Sequence, residues 1–150
     1  MEATRDVTIG NYKYQLTRFS ARDGSWLTGQ FLTKNLLAHL QSPDQEITEK
    51  DLGLGLAATF QGFSEDIFNR IQSKCLATIR RYEEAGNTTV AKPIVMTDGR
   101  WAVKDEPDPV ELLALSVASL SFNLYCFFGP GALETLRTVF PDLSSLATPG

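Results

Sequence analysis

The sequence predicts an α+β fold: one mostly helical domain with an N-terminal β-hairpin, and a second β-hairpin just before a long buried C-terminal helix. Three observations carry this reading. Val7 and Ile9, then Tyr12, Tyr14 and Leu16, alternate with polar neighbours on either side of Gly10-Asn11. Between Leu27 and Tyr82, apolar side chains recur mostly at helical spacing behind Ser or Thr residues placed as caps. Finally, Leu112 to Leu133 runs for twenty-two positions without an Asp, Glu, Lys or Arg.

Gly-Asn between two period-2 runs reads as a tight turn, with the glycine supplying the positive φ, so strands are expected at about 6–10 and 12–19. Ser20, three residues before Asp23, is placed to cap a helix whose stripe is Leu27, Phe31, Leu32, Leu36, Leu37 and Leu40. That helix is expected to stop at Ser42-Pro43-Asp44, after irregular first turns at Gly24 and Gly29.

Thr48-Glu49-Lys50-Asp51 opens the next segment with carboxylates in the first turn. Leu52, Leu56, Phe60 and Phe63 fit a helix better than Leu52, Leu54 and Leu56 fit a strand, although Gly53 and Gly55 weaken it. Ser64 then caps a further helix with Ile67, Phe68, Ile71, Cys75, Thr78, Ile79 and Tyr82 on one face, Glu65 and Asp66 in its first turn and Arg80 and Arg81 in its last. Glu83 to Thr89 reads as a polar connection through Gly86-Asn87. The second hairpin is expected at Ile94-Val95-Met96 and Trp101-Ala102-Val103, folded at Asp98-Gly99.

Asp108 as N-cap, Pro109 at the first helical position and Glu111 at the third start the long helix, which must end by Gly129-Pro130-Gly131. At 1.5 Å per residue its twenty or so residues span roughly 30 Å. Leu113, Val117, Leu120 and Leu124 are expected to be buried, with the Phe127-Phe128 end an exposed apolar patch. A short helix at 132–140 and a loose tail at 141–150 complete the expectation of one domain over 1–150, with an ordered core at about 6–140. There is no internal repeat, low-complexity tract or dividing linker.

About twenty apolar residues also suffice to cross a bilayer. Here Ser116, Ser119, Ser121 and Asn123 dilute the run, Glu111 and Glu134 flank it, and Gly-Pro-Gly interrupts it, which together favour a core helix. The formal charge of -4 argues against a nucleic-acid or anionic-membrane surface. Cys75 and Cys126 sit in apolar stretches as small hydrophobes, consistent with a reducing cytoplasm, and the N-terminus has no apolar core of an export signal.

Catalytic and cofactor signatures are sparse. His39 is the lone histidine and has no Cys or His at ligand spacing; nothing local activates Cys75 to pair with it as a nucleophile. Asp105, Glu106 and Asp108 fail the EF-hand pattern and read as a solvated turn and cap. Gly53-Leu54-Gly55 is half of a nucleotide fingerprint without its third glycine. Trp26, Trp101 and Phe122 read as packing residues, and Arg70, Lys74, Arg80 and Arg81 as a solvated helix face with an Asp66–Arg70 pair. The expectation is no enzyme, no cofactor and no metal.

Ser121-Phe122-Asn123-Leu124-Tyr125-Cys126-Phe127-Phe128-Gly129, after Glu111-Leu112-Leu113, resembles the C-terminal helix of tail assembly chaperones of tailed bacteriophages and prophages. The stretch Val7 to Ala21, V-T-I-G-x-x-Y-x-Y-x-L-T-R-F-S-A, is similar to that family's opening hairpin, and Thr97-Asp98-Gly99-Arg100-Trp101 also looks familiar. The resemblance implies a cytoplasmic chaperone that binds the helical, hydrophobic tape-measure protein and helps recruit the tail tube protein, without nucleic acid or membrane, and with a possible homo-oligomer. Phe122, Tyr125, Phe127 and Phe128 are the candidate partner contacts. The competing readings are a structural tail or capsid protein that stays in the particle, a small enzyme with an unrecognised site, and a membrane-anchored protein.

Overall fold

The computed structural model describes residues 2–34, 36, 48–125 and 138. Among them the order is β1 (Thr4–Ile9), β2 (Tyr12–Thr17), α1 (Ala21–Thr33), α2 (Glu49–Phe60), α3 (Glu65–Ala77), β3 (Ile79–Ala85), β4 (Thr88–Pro93) and α4 (Pro109–Leu124). The fold class is the expected α+β. A four-stranded antiparallel sheet of order β1-β2-β3-β4 stands beside four helices.

Each helix begins where its cap chemistry places it. Ser20, Thr48, Ser64 and Asp108 each accept a hydrogen bond from the backbone N–H three residues on. Thr48 and Asp51 form a reciprocal capping box, and Pro109 follows the Asp108 cap. Such caps satisfy amide donors that the first turn leaves without intrahelical partners, typically worth about 1 kcal/mol each.

The β1-β2 turn is the expected one, with Gly10 at φ 62 and Ile9 opposite Tyr12. Its φ is not the only demand on Gly10. A Cβ there would come within 2.6 Å of a Glu111 carboxylate oxygen, so the turn packs directly on the first turn of α4.

The second hairpin differs in place. The helix expected to run from Ser64 through Tyr82 ends at Ala77, Thr78 adopts φ -104, and Ile79–Ala85 is a strand paired with Thr88–Pro93 across Gly86-Asn87. Ile79 and Arg81 turn inward beside Leu16 and Tyr14 of β2. Sheet pairing on both sides of β3 therefore overrides the helical stripe that Ile79 and Tyr82 continue. The hairpin expected at 94–103 is a single bridge, Val95 to Trp101, with Gly99 at φ 87 in its turn. It extends no further because the chain turns into the core at Val103 and Pro107.

One face of the sheet carries Tyr14, Leu16 and Ile79 into a cluster with Leu76, Ile94, Val103, Leu115 and Phe122. The other face is polar: Gln15 donates to the Tyr82 hydroxyl, which donates to Asp6, and Lys13 stands over the Tyr82 ring. A second cluster joins Leu27, Phe31, Leu52, Leu56, Phe60, Ile71 and Cys75 of α1, α2 and α3. Helix α4 supplies both clusters, Leu120 and Leu124 to the helical one and Leu115 and Phe122 to the sheet side. It is the central element, as its apolar character implies.

The buried face of α4 is rotated from expectation. Leu120 and Leu124 are buried, Val117 is half-buried, and Leu113 is 36% exposed. The buried positions include Ser116, Ser119, Ser121 and Asn123, so small polar residues allow close packing where a leucine would not fit. Gly53 of α2, close to the Ser121 hydroxyl, is part of the same approach. None of the helices among the described residues is long and apolar enough to cross a membrane. The expected end of the first helix, His39, Cys126, Phe127, Phe128, the Gly129-Pro130-Gly131 stop, the 132–140 helix and the tail lie outside the described residues.

Candidate functional site

The stretch singled out from sequence, the last turns of α4, is held by a junction with β2 and the start of α1. Asn123 is its centre. The Phe19 N–H donates to Asn123 Oδ1 at 2.8 Å, while Asn123 Nδ2 donates to the Thr17 carbonyl at 3.2 Å and the Ser119 carbonyl at 2.9 Å. One amide thus serves the end of β2, the residue before the Ser20 cap, and its own helix. An asparagine suits this place because it offers an acceptor and two donors on one short side chain.

Phe122, the first of the four candidate contacts, is buried at 2% exposure. The Arg18 guanidinium lies 3.7 Å from its ring centroid and that of Arg5 5.0 Å. Arg18 also donates to the Phe122 carbonyl, and Arg5 pairs with Glu49 at the start of α2. Phe122 therefore joins the sheet and α4 beneath the surface, as the packing reading of that residue implies. Tyr125, at the C-cap of α4, is half-buried and packs against the helical cluster. Phe122 belongs to the sheet-side cluster and Tyr125 packs against the helical one, while Phe127 and Phe128 lie outside the described residues. Elsewhere, Leu54, Val110 and Leu113 present apolar side chains to solvent, at 64%, 77% and 36% exposure.

The carboxylates near 98–108 do not converge. Asp98 pairs with Arg100, Asp108 caps α4, and the Asp105 side chain accepts from the Tyr12 hydroxyl. That hydrogen bond, ahead of desolvation, raises the Tyr12 pKa. Among the described residues there is no group of three His, Cys, Asp or Glu able to hold a metal ion. Cys75 is buried, and desolvation pushes its thiol up to about 12. It packs in the core as expected, since burial raises thiol pKa and suppresses the reactive thiolate.

The expected strip of four basic residues is divided by the end of α3. Arg70 and Lys74 stay on that helix, with Arg70 over the Trp26 ring at 5.0 Å and Lys74 paired with Asp23 at 2.7 Å. Arg80 and Arg81 are on β3, on opposite faces. Arg81 is 2% exposed. Its guanidinium lies 3.9 Å from the Tyr12 ring centroid, donates to the Tyr14 hydroxyl and the Asp105 carbonyl, and leaves Nε without a partner among the described residues. Sequence reasoning missed this buried cation; the available signal was the pair of tyrosines at Tyr12 and Tyr14, whose rings and hydroxyl accommodate a guanidinium.

A helical layer against one face of a sheet, with an aromatic helix end and isolated exposed aliphatics, is chemistry suited to binding other proteins. The family comparison gives that class a definite member. A family model described as phage tail assembly chaperone protein, TAC, matches residues 10–134, and the chain belongs to that family. Neither the curated proteins nor the solved structures give a match to it. The matched span runs from the β1-β2 turn through α4, so it contains the Asn123 junction and all four candidate contacts.

Proposed function

We propose that this chain binds the long, helical, hydrophobic tape-measure protein in the bacterial cytoplasm before the tail tube forms around it, and helps recruit tube subunits to that complex. Family membership over residues 10–134 is the observation that carries the reading. The physical logic is that a tape-measure chain exposes amphipathic faces with no compact core to cover them. A chaperone offering apolar side chains beside a rigid helix shields those faces until tube subunits compete for them. The role is one of binding without chemistry on the partner.

The contact we assign is the aromatic end of α4. Tyr125, with Phe127 and Phe128 following it in sequence, supplies the apolar surface, while Phe122 acts from beneath by fixing the helix on the sheet. The test is a pull-down with the tagged chain from phage-expressing cells. Tape-measure and tube proteins should be recovered, and replacing Tyr125, Phe127 and Phe128 by Ser should reduce that recovery at least tenfold with the far-UV circular dichroism unchanged. Recovery of neither protein by the unaltered chain would remove the reading.

A further inference from the structure

Helix α4 carries no basic residue in its last turn, although a helix C-terminus concentrates partial negative charge on carbonyls that the helix leaves unpaired. The cation at that end comes from another element. Arg18, the residue after β2, donates through Nη1 to the Phe122 carbonyl, one of the last four of α4. Its guanidinium also lies over the Phe122 ring, and its Nε donates to the Glu2 carbonyl at 2.8 Å.

Arg18 differs in this from the other arginine at the junction. Arg5 pairs with the Glu2 and Glu49 carboxylates and meets the Phe122 ring at longer range. Arg18 has no carboxylate partner among the described residues, and its hydrogen bonds there both go to backbone carbonyls. A half-buried guanidinium held by a helix end and an aromatic ring holds them in return. Its two sequence neighbours act on the next residue of the helix: the Thr17 carbonyl accepts from Asn123 Nδ2, and the Phe19 N–H donates to Asn123 Oδ1. Three consecutive residues thus grip two consecutive residues of α4, and Tyr125, the C-cap, stands just beyond them.

We propose that Arg18 is a positioning residue for partner binding, setting the direction in which the end of α4 presents Tyr125 to the tape-measure protein. The inference rests on the proposed function, in which that end is the partner contact. Arg18 acts through Phe122 and the helix end without touching the partner. Lysine in its place keeps a cation at the helix end but loses the planar fork that reaches two carbonyls at once, whereas glutamine loses the charge as well.

The experiment co-expresses the full tagged chain with a tape-measure protein from the same phage and measures the amount of that protein recovered per chain. Amide hydrogen exchange over residues 119–125 of the chain alone is the second readout. Arg18→Gln should speed exchange there about tenfold, with α3 unchanged, and should lower recovery about fivefold. Arg18→Lys should restore part of both. Gln72→Ala, which releases Ser116 in the middle of the same helix, should leave recovery unchanged. Should Arg18→Gln lose its fold by circular dichroism, Arg18→Lys decides the matter by the same two readouts, with recovery lowered about twofold. Full recovery by the Arg18 variants, unaltered exchange over 119–125, or an equal loss with Gln72→Ala would overturn the proposal and leave the chaperone role standing. Recovery of no tape-measure protein by the unaltered chain would remove that role and this proposal with it.

Discussion

Asn123→Ala should be among the most damaging single substitutions at the surface-proximal end of α4. The side chain is 6% exposed and makes three hydrogen bonds to other described residues, two of them to β2 and the residue preceding the α1 cap. Ser119 keeps its place in the helical ladder when the amide is removed, so the loss falls on the Phe19 N–H and the Thr17 carbonyl. Leaving a buried polar group without a partner costs about 1–3 kcal/mol, so the two together, partly rehydrated, amount to about 2–4 kcal/mol. With a urea slope of about 2 kcal/mol/M, the unfolding midpoint should fall by about 1–2 M. Asn123→Asp keeps an acceptor for Phe19 but sets a buried carboxylate oxygen against the Thr17 and Ser119 carbonyls where the two donors were, and should cost at least as much as Ala. The assay is urea unfolding followed by far-UV circular dichroism with the slope held constant. A loss below about 0.5 kcal/mol for Asn123→Ala, within the range of an ordinary surface substitution, would refute the junction's role.

Arg81 offers a test of ordering. Arg81→Met removes a buried cation that has no carboxylate partner among the described residues while roughly preserving volume, whereas Arg81→Ala also opens a cavity between Tyr12 and Tyr14. Urea midpoints should place Met above Ala by more than about 1 kcal/mol, and equal losses would contradict the packing described. Gly10→Ala should destabilise through both φ 62 and the 2.6 Å approach to Glu111; if Glu111→Ala in the same chain recovers none of the loss in melting temperature, the contact has no weight. Burial pushes the Cys75 thiol up to about 12, above the ordinary thiol value, so the neutral thiol is the form the fold favours. Its contribution is complete below about pH 8.5 and is lost as pH rises toward 12. Tyr12 and Tyr82, raised first by their hydrogen bonds to Asp105 and Asp6, lose stability in the same direction above about pH 10. A urea midpoint that stays flat from pH 8 to pH 11.5, or rapid reaction of the folded Cys126→Ser chain with a disulfide reagent at pH 8, would contradict this.

Local chemistry was readable where a residue type has few alternatives. Asp108-Pro109-Val110-Glu111 can hardly be anything but a helix start, and Gly10-Asn11 between alternating runs can hardly be anything but a turn. Ile79–Ala85 was not readable in the same way, because Ile79 and Tyr82 continue the α3 stripe while Ile79, Arg81 and Glu83 also alternate as a strand. The deciding signal was Gly86-Asn87 followed by Thr88-Thr89-Val90, a turn and a β-prone run that a charged preceding segment disguised. Leu113 shows a second limit. A helix with apolar residues nearly all round carries no strong stripe, so which face is buried depends on neighbours, and close approach of α2 and α3 selected the serines. At the candidate site, Phe122 was legible as a packing aromatic, but not what it packs against. Its environment depends on Arg5 and Arg18, more than a hundred residues earlier in the chain. Asn123 belonged to the motif that resembles the family, and its partners explain why an amide stands there.

Co-expression with a tape-measure protein from the same phage tests the chaperone role most directly, with the soluble fraction of that protein as the readout. The soluble fraction should rise severalfold with the unaltered chain and return to its unaided level when Tyr125, Phe127 and Phe128 are replaced by Ser. A large helical partner that is equally soluble with and without the chain would contradict the proposed function.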